Sequence, residues 1–249
     1  MSMHLTVITG ASRGLGRAMA AQRLREGHHV LTLSRRPDAS LTAPDGALLE
    51  QWAVDLAQPL AVAQRLHTWL AALDGSHFAS ATLVNNAALL TPPGPVDATA
   101  AEALSAAMRV GLEAPVLLAQ AFLRATAAWP GVRKVLNVSS GLGRFAMAGS
   151  APYCAVKAGL DHFSRALALD EALERNGARV VSLAPGVIDT DMQVQLRSAD
   201  AAVFTERERF AQLHARGQLD SPDTAAAKVL GYLDRADFGA QPVADVRDA

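Results

Sequence analysis

The sequence predicts one α/β domain, built on a doubly wound parallel sheet of about seven strands with helices on both faces. Short β-rich apolar runs alternate with longer helical patterns along the chain, and this alternation implies right-handed crossovers between parallel strands. Half of the 249 residues are apolar, enough for one large core. No repeat or linker-like segment interrupts the pattern, so we predict a single domain over residues 1–249.

Six strands and five helices can be placed in order. The strand runs are short and aliphatic, which is typical of strands buried on both faces, whereas the helical segments are longer and carry apolar residues three and four positions apart. Ser221, Pro222 and Asp223 supply the start signals of the last helix. We predict strands at Leu5–Thr9, Val30–Ser34, Leu48–Ala53, Thr82–Asn85, Val135–Val138 and Val180–Ala184. We predict helices at Gly14–Glu26, Leu60–Leu73, Ala101–Ala127, Tyr153–Arg175 and Pro222–Leu233.

Charge and composition exclude several classes of protein. The formal net charge of -1 lacks the basic excess that binding to nucleic acid or an anionic membrane requires. The single cysteine, Cys154, excludes an internal disulfide framework. The N-terminal apolar run is too short for a signal peptide or a membrane span, and the histidines show no metal-ligand spacing. We expect a cytoplasmic protein without a metal site.

A glycine-rich loop follows the first predicted strand and leads into a helix. It runs Thr9-Gly-Ala-Ser-Arg-Gly-Leu-Gly16. Glycines here permit a tight turn and close approach of the backbone to a pyrophosphate, whose charge a helix N-terminus stabilises. Ordinary turns use glycine too, but the position between strand and helix favours nucleotide binding.

The end of the second predicted strand indicates which dinucleotide binds. An NAD-binding chain usually carries an acid about 20 residues beyond its glycine loop. Ser34, Arg35 and Arg36 stand there instead. Arg13, in the glycine loop, and Arg35 would hold a 2′-phosphate by charge-assisted hydrogen bonds. We therefore predict NADP(H) in preference to NAD(H); the alternative is that these arginines are merely solvated.

The stretch from Ser139 to Lys157 offers a proton donor, a charge and a hydroxyl. Tyr153 and Lys157 lie four residues apart in a predicted helix and share one of its faces. An ammonium one turn away would favour the phenolate and bring the pKa of the phenol closer to the working pH. Ser139 and Ser140 follow a buried strand, at the sheet edge where ligands bind. We interpret this stretch as a catalytic site.

Together, the motifs resemble those of the short-chain dehydrogenase/reductase family. In the family's order and spacing, the chain carries Thr9-Gly-x-x-x-Gly-x-Gly16, Asn85-Asn-Ala87, Ser140, Tyr153-x-x-x-Lys157 and Pro185-Gly186. The resemblance implies a Rossmann-like fold and an oxidoreductase in which Ser140 orients the substrate carbonyl and Tyr153 donates the proton. Lys157 would hold the nicotinamide ribose and lower the pKa of the tyrosine.

The resemblance also implies which residues contact the ligands. Asp55 and Leu56 match the pair beside the adenine, and Thr190 matches the anchor of the nicotinamide carboxamide. The expected cofactor-binding residues are Gly10, Ser12, Arg13, Gly14, Leu15, Gly16, Ser34, Arg35, Arg36, Asp55, Leu56, Asn86, Ala87, Ala88, Tyr153, Lys157, Pro185, Gly186, Val187, Ile188, Thr190 and Met192. The expected substrate-binding residues are Ser140, Leu142, Tyr153, Gly186, Met192 and Asp245.

One position departs from the family's pattern. Many members carry an asparagine that holds a water of the proton relay, and this chain has Gly111 in its place. A glycine inside a helix costs up to about 1 kcal/mol relative to alanine, so we expect a kink, or room for a water or a partner side chain. Either another group completes the relay, or the protein is a weak enzyme.

Within the family, the chain looks most like the sepiapterin reductase and benzil reductase branch. The likeness lies in residues 185–192 and in the segment that ends at Asp245. In sepiapterin reductases an aspartate at that place anchors the pterin; the alternative here is a solvated acid. Residues 190–218 would form a mobile lid. Apolar residues that would line a substrate pocket, or else belong to the core, are Leu142, Phe145, Met147, Met192, Leu196 and Phe204.

The predicted function is NADPH-dependent reduction of a carbonyl compound, either a ketone, a diketone or a pterin side-chain carbonyl. Two alternatives stay open. One is a dehydrogenase that uses NADP+ in the opposite direction, and the other is an NADP-binding regulatory or scaffold protein with weak or lost catalysis, suggested by Gly111. The resemblance further implies a homodimer or homotetramer joined through helices 101–127 and 153–175.

Overall fold

A seven-stranded parallel sheet forms the centre of the computed structural model, which describes residues 3–248. The strands are β1 (Met3–Thr9), β2 (His29–Ser34), β3 (Leu48–Ala53), β4 (Phe78–Asn85), β5 (Val132–Val138), β6 (Arg179–Ala184) and β7 (Val243–Asp245). They lie in the order β3-β2-β1-β4-β5-β6-β7, and each neighbouring pair is parallel. The strand order switches direction between β1 and β4, and at such a point a crevice opens at the carboxyl ends of the strands.

Helices cover both faces of the sheet. They are α1 (Gly14–Arg25), α2 (Pro59–Ala71), α3 (Ala101–Met108), α4 (Ala114–Ala125), α5 (Ala151–Ala172), α6 (Asp191–Arg197), α7 (Arg207–Ala215) and α8 (Pro222–Leu233). On one face, α1 and α8 pack in a buried cluster with Ile8 and Val84. On the other face, α2 and α4 pack with Leu5, Val7 and Leu83. Neighbouring side chains of β1 therefore enter opposite layers, as strand geometry requires.

The predicted fold class is confirmed, and each predicted strand overlaps an observed one. The sequence pattern does not place β7, because a strand of three residues carries too little periodicity to be recognised. The lid segment 190–218 contains two helices, α6 and α7.

The predicted helix 101–127 is interrupted by a π-helical turn. This turn, Arg109–Glu113, joins α3 to α4 and has Gly111 at its centre. A Cβ on Gly111 would lie 2.5 Å from Cγ1 of Val156 on α5. The sequence led us to expect at Gly111 a kink, or room for a water or a partner side chain. The structure has an irregular turn there, and the apolar side chain of Val156 fills the space beside it.

The same segment, Ala101–Ala125, is long and apolar enough to span a membrane by composition alone. It lies between α2 and α5 within the fold, and half of its most apolar window is buried. Its apolar character is therefore explained by packing inside the domain.

Candidate active site

A cleft of about 1270 Å³ opens at the carboxyl ends of the strands. It runs from the ends of β2 and β3, past the glycine loop, to the ends of β5 and β6. Every predicted catalytic and cofactor-binding residue lies on its wall. The predicted substrate-binding residues also lie there, with the exception of Asp245. Motifs that are far apart in the sequence thus meet in one site.

The glycine loop forms a cradle against the end of β4. Gly10 has a φ of 70°, and a Cβ there would lie 2.9 Å from Cα of Ala87, while a Cβ on Gly16 would lie 2.5 Å from Nδ2 of Asn86. Asn86 donates from Nδ2 to the main-chain oxygens of Thr9 (2.9 Å) and Gly10 (3.2 Å). These contacts hold the loop at the N-terminus of α1, where main-chain NH groups and the helix dipole favour an anion. The cradle fits a dinucleotide pyrophosphate.

Two arginines lie close together where the cleft reaches the end of β2. Arg35 and Arg36 are exposed on its wall. The following loop brings in an acid that the sequence reasoning missed, Asp38. Hydrogen bonds from Ser40 and from Arg17, whose Nε lies 2.6 Å from Oδ2, hold the pKa of Asp38 below its usual range. Because Arg17 pairs with this carboxylate, Arg35 and Arg36 are, within residues 3–248, the unpaired charges directly after β2, and the exposed Asp55 follows the neighbouring β3.

Arg13, which was expected to bind phosphate, pairs with an acid of the lid. Its Nη1 lies 2.6 Å from Oδ2 of Asp191 at the start of α6. The guanidinium thus lies between the glycine loop and the lid, on the wall of the cleft.

Tyr153 and Lys157 share one face of α5, as predicted. The Nζ atom of Lys157 lies 5.6 Å from the centre of the Tyr153 ring and donates a hydrogen bond of 2.7 Å to the main-chain oxygen of Val138. Burial lowers the pKa of Lys157 to about 8, while Asp161 acts in the opposite direction. The hydrogen bond to Val138 therefore fixes the ammonium group next to the phenol ring. Its lowered pKa brings the titration of Lys157 close to neutral pH.

Burial raises the pKa of Tyr153 to about 12, and the Ser140 hydroxyl only partly offsets this effect. The sequence led us to expect a pKa lowered by Lys157, so the balance of effects in the structure is the reverse. Desolvation penalises the phenolate more than the neighbouring groups stabilise it. The phenol is consequently protonated at neutral pH, which is the form that a proton donor requires.

Asp245 lies at the end of β7 and away from the cleft wall. It is 5% exposed, and its carboxylate accepts hydrogen bonds from Nε (2.8 Å) and Nη2 (2.6 Å) of Arg247. These bonds hold the pKa of Asp245 below its usual range. Asp245 is thus not among the residues that line the cleft, whereas Arg247, which it binds, is.

The substrate end of the cleft is mainly apolar. The predicted residues that line it are Leu142, Phe145, Met147, Met192 and Leu196. The sixth, Phe204, is fully buried and stacks on Phe210 with ring centres 5.9 Å apart. Phe210 and Leu213 line the cleft as well. Sequence reasoning missed both, and also the polar wall residues Ser150 and Gln193, because no motif marks any of these positions.

A dinucleotide cradle and a Ser-Tyr-Lys group in one crevice of a doubly wound parallel sheet define an oxidoreductase that works with a nicotinamide cofactor. The sequence profile of the short chain dehydrogenases matches residues 4–201. The chain belongs to the short-chain dehydrogenase/reductase family.

Relatives agree with this assignment. The chain is 36% identical over 233 residues to a benzil reductase ((S)-benzoin forming) of Bacillus subtilis (strain 168), with 94% of each chain covered. It is 32% identical over 245 residues to the sepiapterin reductase of Rattus norvegicus, with 93% of this chain and 92% of that protein covered. A solved structure of a metagenomic short-chain oxidoreductase in complex with NADP matches with a TM-score of 0.72 and 27% identity, over 98% of this chain and 95% of that chain. The predicted family and branch are thereby confirmed.

Proposed function

We propose that this protein reduces a carbonyl compound to an alcohol with NADPH as the hydride donor. The observation that carries the proposal is that the glycine cradle, the exposed arginines after β2 and the group of Ser140, Tyr153 and Lys157 line a single cleft. The similarity to benzil and sepiapterin reductases supports the same class of reaction.

NADP(H) suits the nucleotide end of the cleft better than NAD(H). An NAD site usually offers a free acid for the ribose 2′-hydroxyl. Here the nearby acid, Asp38, is already paired with Arg17, while Arg35 and Arg36 remain exposed. Guanidinium groups match the geometry and charge of a 2′-phosphate. The similar solved structure that holds NADP supports this choice.

When bound, the reduced nicotinamide supplies the hydride; the chain's residues supply orientation and a proton. The Oγ atom of Ser140 accepts a hydrogen bond from the main-chain NH of Leu142 at 3.2 Å, and its hydroxyl is also hydrogen-bonded to Tyr153, so the two hydroxyls meet where the substrate oxygen would bind. Tyr153, whose pKa is about 12, donates the proton that the developing alkoxide needs. Lys157, fixed by Val138, would hold the ribose hydroxyls and keeps positive charge beside the phenol.

A diketone with apolar flanks suits the substrate end better than a pterin does. The walls are mainly apolar, and a polar heterocycle buried there would lose hydrogen bonds to water. Asp245 lies off the cleft wall and is paired with Arg247, so a pterin ring would have to compete with that arginine for the carboxylate. We therefore favour benzil-like compounds as substrates.

A second candidate function is NADP binding without efficient turnover. Val156 fills the space that a side chain at position 111 would need. The relay asparagine of the family therefore has no room here unless the side chain of Val156 or α5 itself moves. If no other group completes the relay, the protein would bind the cofactor and turn over slowly.

The test is NADPH oxidation in the presence of benzil, sepiapterin and a panel of simple aldehydes and ketones, with NADH in parallel. We expect turnover of benzil with a preference for NADPH. Tyr153→Phe should lower kcat by at least about a hundredfold. Tyr232→Phe, which changes the other of the two tyrosines, should leave kcat unchanged. Tight NADPH binding without turnover of any compound would favour the second candidate, and an active Tyr153→Phe variant would refute the assigned proton donor.

We also propose a homodimer or homotetramer, located in the cytoplasm. Leu169 in the last turn of α5 and Leu173, which follows the helix, are 72% and 87% exposed. Two exposed leucines close together at a helix end are typical of a surface that another subunit covers. Light scattering after size exclusion should give an oligomer, and a monomer at working concentration would contradict this proposal.

A further inference from the structure

A buried carboxylate, Asp161, lies one helical turn beyond Lys157 on α5, and the reaction described above gives it no role. Its side chain is 1% exposed. Oδ1 accepts hydrogen bonds from the hydroxyls of Ser139 and Ser182, the second at 2.7 Å. Oδ2 is buried and accepts no hydrogen bond from residues 3–248. A buried charge is costly unless it is compensated, so this arrangement needs an explanation.

The charge that faces Oδ2 belongs to Arg144, which follows Ser140 by four residues in the same loop. The Nε atom of Arg144 lies 3.6 Å from Oδ2 of Asp161, and its Nη1 lies 3.7 Å from Oδ2 of Asp245. Its Nη2 donates to the main-chain oxygen of Ala244 at 2.6 Å. One guanidinium therefore connects the segment that carries Ser140 to both α5 and β7.

The backbone of that segment also rests directly on the carboxylate. A Cβ on Gly143 would lie 2.6 Å from Oδ2 of Asp161 and 3.0 Å from the main-chain oxygen of Lys157. The position of Ser140 relative to α5 is consequently set by contacts with Asp161 on both sides, through Ser139 before it and through residues 143 and 144 after it.

Charged and titratable groups face Lys157 and Asp161, and the charged ones alternate in sign. They are Tyr153 on α5, Arg144 in the loop after β5, Asp245 on β7, and Arg247, which binds Asp245. Asp161 is the negative charge that favours the ammonium form of Lys157 against its burial. Arg144 in turn limits that effect, because it lies beside the same carboxylate.

We propose that Asp161 is a positioning residue for the carbonyl reduction: it holds the Ser140 segment through Ser139 and Arg144, and it keeps Lys157 charged. In this arrangement the carboxylate of Asp245 balances the positive charge of Arg144 and does not act on the substrate. The role of Asp161 in positioning Ser140 for catalysis rests on the proposed function. Its effect on the charge of Lys157 can be measured without any substrate.

The first measurement follows the titration of Lys157 by NMR of isotope-labelled lysine. The chain has only three lysines, Lys134, Lys157 and Lys228, so Lys157→Arg assigns the signal. We expect Asp161→Asn to lower the titration midpoint by about one pH unit and Arg144→Met to raise it. The signs differ because the first change removes a negative charge and the second a positive one. Asp170→Asn, an exposed acid on the same helix, should leave the midpoint unchanged.

The second measurement is the pH profile of kcat, with NADPH and the substrate that the panel identifies. Tyr153 and Lys157 both act in their protonated forms, so kcat falls as the pH rises. This limb should move to lower pH in Asp161→Asn and to higher pH in Arg144→Met. A residue that only stabilises the fold would lower kcat in both variants without opposite shifts.

The outcomes separate this inference from the proposed function. Opposite shifts of the Lys157 midpoint without any turnover would support the electrostatic role and count against the carbonyl reductase. Normal turnover with unchanged midpoints, or with shifts of the same sign, would overturn the inference alone. If Asp161→Asn fails to fold, the direction of the shift in Arg144→Met decides.

Discussion

Arg13 and Asp191 join the glycine loop to the lid, with Nη1 and Oδ2 2.6 Å apart. The two segments also approach through apolar atoms, since a Cβ on Gly14 would lie 3.4 Å from Cγ2 of Thr190. An arginine at the expected phosphate site thus already has an anionic partner. A cofactor phosphate and Asp191 would compete for the same guanidinium, so cofactor binding and lid position become coupled.

Asp191→Asn should therefore strengthen NADPH binding. The change frees Arg13 and removes a negative charge near the phosphates. Because both partners are mostly exposed, at 73% and 68%, the gain should not exceed about 1 kcal/mol, or roughly fivefold in Kd. Fluorescence titration with NADPH measures it. Asp200→Asn, an exposed lid acid that accepts the NH of Ala202, is the matched control. Weaker binding in Asp191→Asn would show that Asp191 supports the cofactor.

Arg35→Ala should weaken NADPH binding much more than NADH binding. The guanidinium is exposed on the cleft wall beside the end of β2, where a 2′-phosphate would lie. Loss of one charge-assisted hydrogen bond costs about 1.5–3 kcal/mol, so Kd for NADPH should rise roughly 10- to 100-fold. Titrations with both cofactors check this, and NADH serves as the internal control. Equal losses for the two cofactors would mean that Arg35 does not contact the 2′-phosphate.

Motifs whose spacing falls within one loop or one helical turn could be predicted. The glycines of residues 10–16 and the pair of Tyr153 and Lys157 are examples, because local geometry fixes their relative positions. Asp38 could not be predicted in the same way, since the path of its loop depends on the contact with Arg17 on α1. Asp245 ends a strand of only three residues, and its partners Arg247 and Arg144 lie in irregular segments without periodicity.

Burial is the other property that the sequence does not show. Tyr153 was expected to have a pKa lowered by Lys157, and in the structure burial raises the pKa of Tyr153 to about 12. The degree of desolvation depends on how the loop after β5 closes over α5. That closure is a tertiary property, which a spacing of four residues cannot report.

Acidification should destabilise the protein through His28. Its side chain is 13% exposed and stacks on His4 with ring centres 5.0 Å apart. Burial, with Arg23 and His4 in addition, lowers the pKa of His28 from 6.5 to about 4. The unfolded state therefore binds the proton more readily, and the free energy of unfolding falls as the pH drops through this window.

His28→Gln should reduce that fall by up to about 3 kcal/mol. Urea unfolding at several pH values between the two pKa values measures the difference. His214→Gln, on the exposed side of α7, should keep the pH dependence of the wild type. An equally steep fall in His28→Gln would show that carboxylates, and not this histidine, cause the acid sensitivity.

Filling position 111 should impair the protein, because Gly111 is where the π-helical turn meets α5. A Cβ there would lie 2.5 Å from Cγ1 of Val156, which stands between Tyr153 and Lys157 on α5. Overpacking of this kind costs about 1–3 kcal/mol. Gly111→Ala should therefore lower the free energy of unfolding in urea. Gly231→Ala makes the same change on α8, where a Cβ meets nothing within 4 Å, and should be neutral or stabilising by up to about 1 kcal/mol.

Gly111→Asn then separates packing from chemistry. If there is no room for a side chain between the π-helical turn and α5, Gly111→Asn lowers both the free energy of unfolding and kcat. Adding Val156→Ala should then recover part of each loss, as expected for two residues in contact. If Gly111→Asn instead raises kcat without loss of stability, Val156 yields to the new side chain. The missing asparagine, and not the packing of the π-helical turn on α5, would then limit the reaction.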